Sequence, residues 1–288
     1  INAATAYQGA GELELSNQMD MKGLEIGHDI NHMKILSVGY KNISMKLFNA
    51  EHYDEALENS LASLKYAQLI PEDPVAEAVS LMGIGQIYAA MGKDSLASLN
   101  FNSALRIKKD HATEASYASS LEVYCEFLRK SLFKIPQESE RFRIIKDSTE
   151  KSLLFVAEEC RRLHQTTTLI RTLRELSSFY YTFSDLSKSL KYIDEAYEIV
   201  NSVSNLTKTV SVTRQRYRVL KRLGKYKEAL EMLEESNEAS EKLNYNDAVE
   251  VAARQKVKLE YTVKATKDSV KYAAAQEIQQ QELAHKEE

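Results

Sequence analysis

The residues able to do chemistry are few and lie apart. His28 and His32 stand one helical turn apart, a spacing that can offer two imidazoles to one metal. No third ligand lies near them, so neither a metal nor another cofactor is expected. Gly83-Ile84-Gly85 carries two glycines of a phosphate-cradling loop. The third is missing and no strand-like run precedes it. Adjacent carboxylates such as Glu158-Glu159 and Glu234-Glu235 would point apart on a helix and cannot form an acid–base dyad. Cys125 and Cys160 lack the C-x-x-C spacing of a metal or redox motif, although a single bridge between them stays open. No serine or cysteine has a base beside it in a local motif. The chain is therefore expected not to be an enzyme and to have no catalytic residue.

Basic side chains are different, because they share a phase. Arg214 and Arg218, and again Arg254 and Lys258, sit one turn apart on single helix faces. The planar fork of arginine binds carboxylate or phosphate in bidentate fashion. Net charge is −4, so no global field draws in nucleic acid or an anionic membrane, and any anion must meet a local patch. No aromatic series interleaves the charges, which disfavours nucleic acid.

The elements that carry these residues are helices. Leu81–Ile107 places Leu81, Ile84 and Tyr88, then Ala97, Phe101 and Ala104, at three- and four-residue steps, with a break at Met91–Gly92. Small residues (Gly85, Ala97, Ala104) stand where two helices must cross closely. Three prolines and nine glycines in 288 residues fit an all-helical chain with short turns. No apolar run approaches the roughly 20 residues that cross a bilayer.

Leu81, Ile84, Gly85, Tyr88, Gly92, Ala97, Phe101 and Ala104 occur in the order of the tetratricopeptide repeat (TPR) pattern, with only its Trp and closing Pro replaced. The chain resembles that family. Aligning the small residue that opens each second helix gives Gly23, Ala56, Ala97, Ser152, Ser189, Ala229 and Ser269. These are spaced by 33, 41, 55, 37, 40 and 40 residues. The expected fold is all-α: a right-handed superhelical solenoid of about seven TPR-like hairpins over residues 1–263, with a capping helix and polar connector over 264–288. The fourth unit, about 112–164, is irregular, being either a hinge or an insertion around Pro136.

The resemblance also implies which residues meet a ligand. First helices of TPR units line a concave groove, and carrying the family's inward positions across gives Arg171, Arg174, Arg214, Arg218, Lys221 and Arg222. Arg254 and Lys258 follow in the last unit, and Tyr181 sits beside the series. The N-terminal groove, with Lys41, Met45, Phe48, Met82, Gln86 and Ala89, reads as mostly apolar or neutral. The implied partner is a protein or peptide, acidic in character, or another anionic ligand.

The units of roughly 40 residues and the polar terminal helix resemble the input domains of bacterial membrane-bound sensor kinases and TPR-containing transcriptional regulators. A periplasmic sensory role is therefore expected, with a kinase or other output outside these residues and a homodimer contact through the C-terminal helix. The start at Ile1 and the charged end fit an excised domain. The alternative is a cytoplasmic scaffold or adaptor that joins protein partners.

Overall fold

The computed structural model describes residues 13–203 and 206–243. Residues 1–240 form one compact unit and residues 241–288 a second, and the architecture described here is that of the first. The expected boundary at residue 263, the terminal helix after it and its homodimer contact lie outside the described residues, as do Arg254 and Lys258.

The described residues are helical throughout. In chain order the helices are α1 (Leu13–Asp29), α2 (Met33–Asn49), α3 (Tyr53–Ala67), α4 (Pro74–Ala90), α5 (Asp94–His111) and α6 (Glu114–Ser131). After a short 3-10 turn, Leu132–Lys134, come α7 (Glu140–Arg162), α8 (Thr166–Thr182), α9 (Leu186–Val203) and α10 (Leu206–Arg222). The last, α11, comprises residues 226–243. Consecutive helices pack as antiparallel pairs: α2 with α3, α4 with α5, α6 with α7 and α8 with α9.

The turns repeat one geometry. Asn31, Glu51, Gly92, His164, Ser184 and Gly224 all have positive φ, between 51° and 74°. In each turn the next residue's amide reaches back across the helix end, as Lys93 N does to Tyr88 O at 2.8 Å and Asp185 N to Tyr180 O at 3.0 Å. These are Schellman turns, which satisfy carbonyls that the helix leaves unpaired. Only two of the six use glycine, the residue that adopts this conformation without a Cβ penalty.

Each turn fixes the register of the crossing beyond it. Ser44, Gly85 and Ser177 stand at one offset before the left-handed residues Glu51, Gly92 and Ser184. Ala56, Ala97 and Ser189 stand at one offset after them, and Ala229 does the same after Gly224; all four are buried. A Cβ on Gly85 would lie 2.9 Å from the Phe101 ring, so the close approach needs a glycine. In the hairpins with serine, the hydroxyl is used across the crossing. Ser44 Oγ donates to Ala56 O at 2.7 Å, and Ser189 Oγ donates to Ser177 O at 2.8 Å. Gly83 differs from its neighbour: a Cβ there would meet only Ser60 Oγ, at an ordinary 3.5 Å. Helix packing therefore explains Gly85 but not Gly83.

The fourth unit is long because of α7, at 23 residues the longest helix described, and because of the Leu132–Lys134 turn before it. Lys134 Nζ ties that turn to Asp94 on α5 at 2.8 Å. Ser139 caps α7 through its hydroxyl, which accepts from Phe142 N at 3.1 Å. The N-terminal caps of α4 and α6 are made likewise by Asp73, with Pro74 in the first turn, and by Thr113.

First helices also touch each other: α2 with α4, α6 with α8, and α8 with α10. They form an inner layer, with the second helix of each pair behind it. Replacing Gly85 with Val should overpack the crossing against Phe101 and cost about 1–3 kcal/mol in urea denaturation. Gly83→Ala should instead be neutral or stabilising by up to about 1 kcal/mol, because it gains helix propensity without a clash. Equal losses at the two positions would contradict this register.

Candidate functional site

Two cavities of the inner layer hold most of the expected groove residues. The C-terminal one, of about 340 Å³, is lined only by first helices. Arg129 comes from α6, Arg174, Glu175, Ser178 and Tyr181 from α8, and Arg214 and Arg218 from α10. Four of the residues expected from the sequence, Arg174, Tyr181, Arg214 and Arg218, are thus brought together.

Two residues that sequence reasoning missed organise this cavity. Glu175 is only 1% exposed and is held from both sides. Arg129 Nε donates to its Oε2 at 2.8 Å, and Arg174 Nη2 donates to its Oε1 at 2.9 Å. Arg174 is therefore partly committed within the protein. Arg214 and Arg218 are exposed, and neither has a hydrogen bond or ion pair among the described residues. Four guanidinium groups against one carboxylate leave the lining net cationic, a field that favours an entering anion.

Three expected groove cations are used differently. Arg222 donates to Tyr181 O at 2.8 Å and to Ser184 Oγ at 2.9 Å, and its guanidinium lies 4.9 Å from the Tyr181 ring centroid. It satisfies carbonyl and hydroxyl groups at the end of α8, a stabilising role for a cation at a helix C-terminus. Lys221 lies outside the cavity, with Nζ 5.6 Å from the Tyr217 ring centroid. Arg171 faces the other cavity, and its Nη2 pairs with the buried Glu122 of α6.

The N-terminal cavity, about 490 Å³, is lined by α2, α4, α6 and α8, with Ser60 and Lys108 reaching it from second helices. Lys41, Met45, Phe48, Met82 and Gln86 meet there as expected, whereas Ala89 lines a neighbouring hollow. Lys108 and Arg171 add two cations to Lys41, in a lining that is otherwise apolar or neutral as expected. The sequence suggests a helix break at Lys108-Lys109-Asp110. Instead α5 runs on to His111 and turns Lys108 inward, to 7% exposure. Burial lowers the pKa of Lys108, and it lowers that of Lys41 against the raising pull of Asp20.

The remaining candidates are structural. His28 Nε2 lies 3.2 Å from Tyr40 Oη, and His32 caps α2 by accepting from Ile35 N at 3.4 Å. Among the described residues no three His, Cys, Asp or Glu side chains are grouped to hold a metal. Cys125 and Cys160 are both free and buried, and burial first of all pushes their thiols up, to about 12 and about 11. Neither is then a thiolate near neutral pH, so neither is an activated nucleophile. No helix among the described residues is long and apolar enough to cross a membrane.

Stacked antiparallel helix pairs with an inner layer of first helices define a TPR-like helical repeat fold. No family model matches the sequence, and no curated protein matches it. Among solved structures the chain is similar to BtubC (BKLC) from P. vanneervenii. The TM-score is 0.63 at 14% sequence identity, covering 78% of this chain and 88% of that one. At this identity the likeness shows the fold alone.

Glu122 gives the site a pH signature. Burial pushes its carboxyl up to about 7, against the opposing pull of the Arg171 guanidinium. An acid whose folded pKa is raised binds its proton more tightly when folded, so stability falls as pH rises from about 4.5 to about 7. The loss should reach about 3 kcal/mol in denaturant titrations across that window. Glu122→Gln should remove the slope, and a variant that keeps it would place the titration elsewhere.

Proposed function

We propose that this chain is a non-catalytic binding module whose inner helix layer takes an extended acidic peptide or an anionic protein segment. One observation carries the reading: Arg214 and Arg218 project one turn apart beside a cavity, with no partner among the described residues. Glu175 holds Arg129 and Arg174 in place, so two further guanidiniums are oriented before a ligand arrives. Such preorganisation reduces the ordering cost of binding. Tyr181, held under Arg222, supplies a flat wall. The fold supports a protein partner, and the spread of the layer over several helices suits an extended one.

The resemblance noted above extends this proposal to the input region of a bacterial signalling protein, facing the periplasm. The cytoplasmic adaptor reading assigns the same face to the same chemistry. Both readings make the module a binder rather than an enzyme.

Titration of a fluorescein-labelled oligo-glutamate peptide at low salt tests the site. Arg214→Glu with Arg218→Glu should weaken binding by about tenfold or more while leaving the circular dichroism spectrum unchanged, a loss of about 1.4 kcal/mol or more. Added salt should weaken the wild-type complex steeply. Unchanged affinity in the double variant would mean that these arginines are only solvated surface.

A further inference from the structure

The N-terminal cavity gathers Lys41, Lys108 and Arg171, with no Asp or Glu among its described lining residues. Lys108 is the most buried of these. At 7% exposure it has lost most of its water, and among the described residues its ammonium donates only to Ser120 Oγ at 2.7 Å and Ser116 Oγ at 3.2 Å. An ammonium has three protons to place, so one remains, and no carboxylate among the described residues pairs with it.

Arg171 is already committed: its Nη2 binds Glu122, and its Nε is closed off from solvent. Met45 and Phe48 from α2 and Val79 and Met82 from α4 give the cavity an apolar wall, beside serines and Gln86.

From these observations we propose that the N-terminal cavity is a second ligand site, separate from the Arg214–Arg218 site. Its ligand is a small organic acid with an apolar body. The carboxylate accepts from Lys108, and the apolar body lies along Met45, Phe48, Val79 and Met82. A cavity of about 490 Å³ falls within the range of small-molecule sites. A recessed cation is reached more readily by the head of a small molecule than by the middle of an extended chain. The proposal does not rest on the peptide reading, because α10 contributes nothing to this cavity.

The test uses decanoate and decanol below their aggregation limits, with binding read by calorimetry and by thermal shift. Decanoate should bind, with decanol at least tenfold weaker. Lys108→Met replaces a buried charge with an apolar group of similar length and should fold with undiminished stability. It should nevertheless weaken decanoate binding by tenfold or more. Arg214→Glu with Arg218→Glu should leave decanoate binding unchanged, which separates this site from the peptide site. Equal affinity for decanol and decanoate, or full binding by Lys108→Met, would overturn the anion site. Binding seen only with an apolar–acidic peptide, with both small molecules silent, would overturn the small-acid assignment.

Discussion

Glu122 and Glu175 are buried to 2% and 1% exposure, on facing helices α6 and α8, and much of the functional layer depends on how they are neutralised. A carboxylate taken out of water is destabilising unless a cation and hydrogen bonds replace the lost solvation. Glu122 is met by Arg171, and Glu175 by Arg129 and Arg174. These pairs direct Arg171 into the N-terminal cavity and the other two guanidiniums into the C-terminal one. The Arg171–Glu122 and Arg129–Glu175 pairs bridge α6 and α8, the inner helices on either side of the irregular long helix α7. One polar seam therefore holds neighbouring hairpins together and sets the charges that face a ligand.

Around that seam the construction is local and repetitive. A Schellman turn closes a helix, a small residue at a fixed offset on each side lets the pair cross closely, and apolar side chains fill the gaps. Leu173, Leu176, Phe179 and Ile193 do so in the fifth hairpin, all of them nearly inaccessible to solvent. Because each pair buries only part of its surface alone, the next pair completes it. Inner helices end up side by side, and side chains far apart in sequence come to share a cavity.

This division explains what could be read from the residues alone. The hairpins were legible because their signals are short-range: Gly92 and Gly224 at turns, Gly85 against Phe101, Ala97 and Ala229 at crossings. Arg214 and Arg218 were legible because one turn of one helix places them together. Glu175 was not, since its partner Arg129 lies 46 residues away on another inner helix. Lys108 is hidden for a different reason: with Lys109 and Asp110 it stands in a run that reads as the break between helices, and only the packing of α6 turns it inward. Arg222 shares the phase of the groove arginines but finds the end of α8 within reach. Phase gives a face, while tertiary contacts decide which of its charges stay available.

The central claim is that the inner layer is the binding face. Backbone hydrogen exchange with and without an oligo-glutamate peptide tests it most directly, because it reports which helices the ligand slows. The account predicts added protection in α8, α10 and the C-terminal half of α6, with the outer helices α5, α7 and α9 unaffected. Protection confined to those outer helices would contradict it.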